Sequence, residues 1–133
     1  MHVPPGGRAT QHIHQDLDDS FYLLAGRVSV RCGKSPASAG PGEYVTMPHG
    51  VAQTFLVVGD KPAIMLQVHQ DDSVLRFVKA VGRPATALTL PPAGMDMDFD
   101  AVYRVAAETG QRVVGPPMSA EEAEEIAGSE SAV

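Results

Sequence analysis

The sequence predicts a mainly β protein, a barrel or sandwich of short strands followed by C-terminal helices. Between about residues 10 and 69, short apolar runs alternate with Gly/Pro turns, a spacing typical of such sheets. Beyond residue 71, the apolar residues recur at helical intervals instead. The length of 133 residues suits one domain with one hydrophobic core.

The predicted strands follow one another closely. The runs "SFYLLAG" and "RVSVRCG" are joined around Gly26 as a tight hairpin, and "EYVTMP" ends at Pro48. The runs "AQTFLVV" and "AIMLQVH" come next, separated by the turn "GDKP", whereas "SPASAGPGE" is predicted to be a loop. This gives five or six strands, fewer than the roughly eight of a closed jelly roll.

The first helix is predicted in "DDSVLRFVKAVG". Val74, Leu75, Val78 and Val81 recur there at helical spacing, an aspartate is available as the cap, and Gly82 is a suitable stop.

Two further helices are predicted beyond it. The segment "DMDFDAVYRVAAETG" places Phe99 and Val102 on one face, which we expect to pack against the barrel or to cap its mouth. Ser119 precedes Glu122 by three residues, a capping box for a short acidic helix ending near Gly128. The predicted organisation is therefore a barrel core at 1–70, a helical segment packed on it at 71–128, and a flexible tail at 129–133.

Composition excludes several classes of partner. The net charge is −6, whereas nucleic acid and anionic membrane surfaces require a basic patch, so we expect neither as a partner. No apolar run approaches the length of a membrane span. The single Cys32 cannot form an internal disulfide, which fits a cytoplasmic location.

The stretch "QHIHQDLDDSF" carries the candidate chemistry. On a strand, side chains alternate between faces, so His12 and His14 project to the same side. Two imidazoles so placed can bind one metal ion, and a carboxylate a few residues on can complete the set. Two histidines and one carboxylate form the facial triad of non-haem iron sites. The alternative is two half-exposed histidines without a metal.

The segment "GGRATQHIHQDLDDSFYLLAG" resembles the first motif of the cupin superfamily. In that pattern a Gly lies six residues before HxH, and an acid and a second Gly follow at fixed spacing. Gly6, His12, His14, Asp19 and Gly26 fit these positions.

The segment "GEYVTMPHGVAQTFLV" similarly resembles the second cupin motif, with Gly42, Pro48 and Gly50 in register. Beyond His69, the chain looks like the tail of small quercetinase-like bacterial cupins, in which "GPP" follows the penultimate helix. The resemblance implies a cupin jelly-roll barrel with C-terminal α-helices.

The likeness also implies a ligand set, with departures from the family pattern. Asp19 stands where the family has Glu, Gln53 where it has a third His, and Val57 where it has Asn. The implied metal ligands are thus His12, His14, Asp19 and Gln53. They would hold one divalent transition metal ion, namely Fe, Mn, Ni, Co or Zn, unless the site has lost its metal. Asp19 and Gln53 are the implied catalytic residues, as general base and as hydrogen-bond donor to substrate.

The substrate pocket is predicted from side chains that share a face with these residues. Gln67 and His69 lie at the end of the last predicted strand of the barrel. If they point inward, they bind substrate or support the metal ligands; otherwise they are residues of the barrel rim. The other candidates are apolar, and each of them can instead be plain core: Phe21, Leu23, Met47, Phe55 and Met65.

Three functions remain open at this stage. The resemblance implies a metal-dependent dioxygenase acting on a small aromatic or polyketide-like substrate, an oxidoreductase of secondary metabolism. The second hypothesis is a non-redox cyclase or isomerase of natural-product biosynthesis, with or without a metal. The third is a small-molecule-binding cupin without catalysis. Because the strand count is low, the barrel is expected to be open, to exchange strands with a partner subunit, or to lack strands that lie upstream in the sequence. We therefore also expect a homodimer that buries or completes the sheet.

Overall fold

The computed structural model of the protein describes residues 1–90 and 97–130. Within them the chain forms nine β-strands and three α-helices. The strands are β1 (His2–Val3), β2 (Gln11–His14), β3 (Asp19–Ala25), β4 (Val28–Cys32), β5 (Ser35–Ala39), β6 (Tyr44–Met47), β7 (Gln53–Val57), β8 (Ala63–Val68) and β9 (Gln111–Gly115). The helices are α1 (Ser73–Val81), α2 (Phe99–Glu108) and α3 (Ala120–Glu130).

The strands form two antiparallel sheets that pack as a jelly-roll barrel. The four-stranded sheet has the order β1-β8-β3-β6, and the five-stranded sheet has the order β5-β4-β7-β2-β9. The mainly β fold with C-terminal helices is therefore confirmed. The strand count, however, is wrong, because eight strands lie in the first 68 residues.

The largest difference lies in β5, which was expected to be a loop. It pairs along its whole length with β4, and Pro36 stands opposite Arg31. The strand lies at the edge of its sheet, where proline is tolerated because an edge strand leaves some N–H groups unpaired. Its Ser, Ala and Pro composition carries no strand signal of its own.

The barrel core lies between the two sheets. Side chains from both inner faces form one buried cluster: Phe21, Leu23, Val28, Val30, Ala39, Met47, Val57, Ala63 and Met65. Full burial of one such large side chain stabilises the fold by roughly 1.5–3 kcal/mol. The hairpin between β3 and β4 turns at Gly26, where φ is +73° and a Cβ would come within 2.5 Å of the Pro62 carbonyl oxygen. Only glycine fits there without strain.

The helices begin at residues that accept backbone hydrogen bonds. Asp71, rather than Asp72, bonds the first turn of α1, since its carboxylate accepts from both the N–H and the hydroxyl of Ser73. Asp98 accepts from the Ala101 N–H at the start of α2. The predicted Ser119 cap is present, because its hydroxyl accepts from the Glu122 N–H.

The helices cover two different parts of the barrel. Helix α1 packs against α2, and α2 packs against β9, so this pair lies at the β2–β9 end of the five-stranded sheet. Helix α3 lies on the outer face of the same sheet, where the Ser29 hydroxyl donates to the Ala123 carbonyl oxygen over 2.6 Å. It continues to Glu130, two residues beyond the predicted stop, and residues 131–133 of the predicted tail lie outside the described part. Among the described residues, no helix is long and apolar enough to cross a membrane.

Candidate metal centre

His12 and His14 project from β2 to the same side, as their spacing predicts. Their Nε2 atoms lie 3.2 Å apart, and their rings meet edge to face with centroids 4.9 Å apart. Strand β2 lies between β7 and β9, so both histidines are held on a paired strand within the sheet.

Asp19 reaches the histidines from the opposite sheet. It begins β3, and its Oδ2 lies 3.7 Å from the His14 Nε2. One ligand atom from each of His12, His14 and Asp19 lies within 4.8 Å of the others. The structure thus brings together three residues of the predicted ligand set, although they come from two sheets.

The tautomer of His12 is fixed by a backbone oxygen. Its Nδ1 lies 2.7 Å from the carbonyl oxygen of Thr10, which can only accept, so Nδ1 carries the proton. The Nε2 lone pair of the neutral ring is then free to face His14. Burial lowers the pKa of His12 despite the bond to Thr10, and a neutral imidazole is the form that binds metals.

Gln53 is the buried fourth member of the set. It stands directly opposite His12 across the β2–β7 pair, and its Nε2 donates to the Asp19 Oδ2 over 3.2 Å. Its Oε1 is buried and has no hydrogen-bond partner among the described residues, and the same holds for the His14 Nδ1. Buried polar atoms are rarely left unpaired, so an oxygen without a partner on a residue opposite His12 fits a role as ligand to a cation.

Asp19 is held in place by two further side chains. His69 Nε2 lies 2.7 Å from its Oδ1, and Gln67 Nε2 donates to the same oxygen over 3.0 Å. Burial alone would raise the pKa of Asp19, but the nearby His14 and the hydrogen bonds with His69 and Gln67 outweigh it and hold the pKa well below its usual range. The carboxylate is therefore ionised at neutral pH, as a metal ligand must be.

These donors fit a divalent transition metal. Two imidazoles and an ionised carboxylate match the facial triad of non-haem iron, and the Gln53 oxygen is available as a weaker neutral ligand. His69 and Gln67 orient the carboxylate, and the Thr10 carbonyl orients His12, as supporting groups do around known metal sites.

The site opens into a cavity of about 450 Å³. Its walls are mostly apolar and come from the barrel and from both α1 and α2. Two of the predicted substrate-binding residues, Phe55 and Gln67, line it, and His69 lies next to it on Asp19.

The remaining predicted pocket residues do not line this cavity. Phe21, Leu23, Met47 and Met65 are at most 1% exposed and belong to the barrel core. They share the inner face with Asp19, and Met47 even pairs with it across the β3–β6 ladder, but their side chains pack into the buried core cluster.

Several residues of the cavity wall had not been singled out from the sequence. Arg8, Ala9 and Thr10, which precede β2, line it together with His12 and His14. Their position just before the two histidines was a signal that could have found them. Phe77 of α1 and Gln111 of β9 also line it, and no local pattern places them there.

Comparisons with known proteins agree with this architecture. The model of the family described as cupin domain matches residues 1–69. A search of curated proteins found no relative.

Several solved structures are similar to part of this chain. A Thermus thermophilus protein is 31% identical, with a TM-score of 0.48, over 51% of this chain and 65% of its own. A cupin domain from Schizosaccharomyces pombe is 16% identical, with a TM-score of 0.50, over 62% and 60% of the two chains. A predicted oxalate decarboxylase from Thermotoga maritima is 20% identical, with a TM-score of 0.48, over 52% and 60%. The chain thus covers less than two thirds of each of these proteins.

Proposed function

This chain belongs to the cupin domain family, and we propose that it is a metal-dependent oxygenase of the quercetinase-like kind. It would act on a small aromatic or polyketide-like substrate of secondary metabolism, inside the barrel. The observation that carries the proposal is the convergence of His12, His14 and Asp19 at the base of a mostly apolar cavity of about 450 Å³.

The residues have separate tasks in this proposal. His12, His14 and Asp19 would hold the ion, with Gln53 as a neutral fourth ligand or a donor to substrate. When bound, a divalent ion supplies Lewis acidity toward an enolate or phenolate oxygen, which favours reaction with O₂. Gln67 and His69 keep Asp19 ionised and oriented toward the histidines.

The cavity wall supports a substrate with an apolar body and an anionic oxygen. Phe55 of β7 and Phe99 of α2 offer ring surfaces, and Val78 of α1 contributes to the same wall. Arg8 is the one permanently cationic side chain among the described lining residues, and its guanidinium has no ion pair there. It is placed to attract a phenolate or enolate into the cavity.

Oxygen uptake tests this function directly. With a flavonol as substrate, the metal-loaded protein should consume O₂, and the double variant His12→Ala/His14→Ala should not. His49→Ala is the matched control, because His49 lies outside the cavity and its side chain is 60% exposed. A flavonol methylated on its reacting oxygen should not react. Equal uptake by the double variant, or no uptake with the native protein, would rule out the oxygenase.

A second candidate function is favoured by the contact between Asp19 and His69. An imidazole oriented by a carboxylate over 2.7 Å beside an apolar cavity can relay a proton without O₂. This fits a cyclase or isomerase of natural-product biosynthesis. Turnover of a substrate under argon supports it, whereas strict dependence on O₂ rejects it.

We also propose that the protein works in the cytoplasm. Cys32 is the only cysteine of the chain, and its thiol is free. Fractionation of the source cells with an antibody to the protein tests this location.

A further inference from the structure

We propose that Gln111 of β9 is a positioning residue of the metal centre, whose side-chain amide holds the His14 imidazole through its Nδ1 atom. This inference rests on the metal centre of the proposed function, but it does not depend on the substrate or on oxygen chemistry. Strand β9 lies outside residues 1–69, the part of the chain that the cupin domain model matches. The C-terminal segment of this chain therefore supplies the residue.

Gln111 stands directly opposite His14 in the antiparallel pair of β2 and β9. Side chains in such a pair project to the same face, and their Cβ atoms are about 4.5–5.5 Å apart. Both residues line the cavity at the metal centre, and both are buried, Gln111 with 8% of its surface exposed and His14 with 3%. A glutamine side chain is long enough to bring its amide to the neighbouring ring.

Each of these two side chains has a buried nitrogen that lacks a hydrogen bond to any residue that the structure describes. The two atoms are His14 Nδ1 and Gln111 Nε2. Buried polar atoms are rarely left unpaired, because they have lost their bonds to water without gaining others. Two such atoms on directly opposed residues are therefore each other's natural partners, and rotation about the side-chain bonds of Gln111 can join them.

The backbone fixes Gln111 opposite His14. Gly110, with φ at +77°, makes the turn that leads from α2 into β9, and its carbonyl oxygen accepts from the Gln15 N–H over 2.9 Å. On the other side, Arg112 pairs with Ile13, so the register is held on both sides of the pair. A side chain fixed in this way can hold a ring in one orientation, as the supporting groups of metal-binding histidines do.

An amide suits His14 because the ring needs a different partner in each of its two situations. When no ion is bound, the 3.2 Å contact between the Nε2 atoms of His12 and His14 takes its proton from His14, since the His12 proton is on Nδ1. The His14 Nδ1 then accepts, and the Gln111 Nε2 can donate to it. When Nε2 binds an ion, the His14 proton lies on Nδ1, and the Gln111 Oε1 can accept it.

The zinc affinity of two Gln111 variants tests the proposal, measured on the full chain by competition with a chromophoric chelator. Gln111→Met keeps the length of the side chain but removes the amide, so the affinity should fall about 10-fold or more. Gln111→Glu keeps an acceptor for the His14 Nδ1–H, so its affinity should equal or exceed that of the native protein. A residue that only fills space would give the reverse order, because methionine suits a buried position and a carboxylate does not.

Arg112→Leu is the matched control. Arg112 follows Gln111 on β9, but it is exposed and projects to the opposite face, so this variant should bind zinc as the native protein does. Nitrogen-15 NMR of the zinc-loaded, histidine-labelled protein gives a readout other than affinity. The His14 Nδ1–H should exchange slowly with water in the native protein and faster in Gln111→Met. Circular dichroism verifies that each variant is folded.

A native affinity in a folded Gln111→Met variant overturns the proposal, and so does an equal loss in both Gln111 variants. If Gln111→Glu does not fold, the exchange rate in Gln111→Met decides, and a rate equal to the native one overturns the proposal. A native protein that binds no zinc, iron, manganese, nickel or cobalt would instead refute the metal centre itself, and with it both the proposed oxygenase and this role of Gln111.

Discussion

The Nε2 atoms of His12 and His14 face each other across 3.2 Å on one strand. Since the His12 proton is on Nδ1, at most one proton can lie between the two Nε2 atoms. With Asp19 beside them, this pair is a ligand arrangement that a divalent cation would complete.

Gln53→His should strengthen metal binding. Gln53 occupies a buried position opposite His12, and imidazole is a better ligand than an amide oxygen for late first-row metals. The expected gain is on the order of tenfold in affinity for Zn²⁺ or Ni²⁺, measured by competition with a chromophoric chelator. Gln11→His, on the other face of β2, should leave the affinity unchanged. If Gln53→His binds no better, Gln53 does not border the metal.

His69→Ala should weaken metal binding without unfolding the protein. His69 does not join the three-residue ligand cluster, but it holds the Asp19 Oδ1 at 2.7 Å. Loss of such an orienting group typically costs about 10–100-fold in affinity. The same chelator competition measures the effect, and His69→Gln, which keeps a donor, should recover part of it. An affinity equal to that of the native protein would show that Asp19 needs no support from His69.

Alanine substitutions at Phe21 and Phe55 should distinguish a ring that stabilises the fold from a ring that binds ligand. Their rings meet edge to face with centroids 5.3 Å apart, but Phe21 is fully buried in the core and Phe55 lines the cavity. Phe21→Ala should lower the free energy of unfolding by about 3–5 kcal/mol, measured in urea. Phe55→Ala should cost less than half as much and should instead weaken binding of an aromatic ligand. Equal costs would place both rings in the core.

Asp71 should support α1 in a pH-dependent way. The hydrogen bonds that its carboxylate accepts from Ser73 lower its pKa. A carboxylate with a lowered pKa in the folded protein stabilises it above the unfolded value of about 3.9, and this stabilisation is lost as the pH falls.

Asp71→Ala should therefore lower the midpoint of urea unfolding at pH 7, and its difference from the native protein should shrink toward pH 3. Asp72→Ala is the comparison, since Asp72 makes no capping bond and pairs only with the exposed Arg76. A difference between Asp71→Ala and the native protein that does not change with pH would mean that the carboxylate charge is not involved.

The alternation of side chains along a strand made part of the site predictable. His12 and His14 had to share a face, and the cupin-like spacing identified Asp19 and Gln53 as their partners. All four are adjacent in the structure. Alternation does not show how deep within the barrel a side chain lies. Phe21 projects to the same side of β3 as Asp19, yet it lies in the closed core.

The contact from His69 to Asp19 depends on the register between β3 and β8. Ser20 pairs with Val68, which brings the neighbouring residues His69 and Asp19 together. Register is a property of two strands distant in sequence, so single-strand patterns do not contain it. The apolar faces predicted for α1 and α2 likewise did not identify the cavity that these helices line. Helical spacing shows which side chains share a face, but not what that face packs against. Phe99 and Val102 of α2 line the cavity beside the metal centre, whereas Tyr103, together with Phe99, lines a neighbouring groove.

Metal content is the most direct test of the central claim. The native protein and the double variant His12→Ala/His14→Ala are incubated in turn with Fe²⁺, Mn²⁺, Ni²⁺, Co²⁺ and Zn²⁺, desalted, and measured by elemental analysis. We predict about one ion per native chain and less than about a tenth of that in the double variant, with the exposed-histidine variant His49→Ala unchanged. Equal metal in the native protein and the double variant would contradict a metal centre on β2.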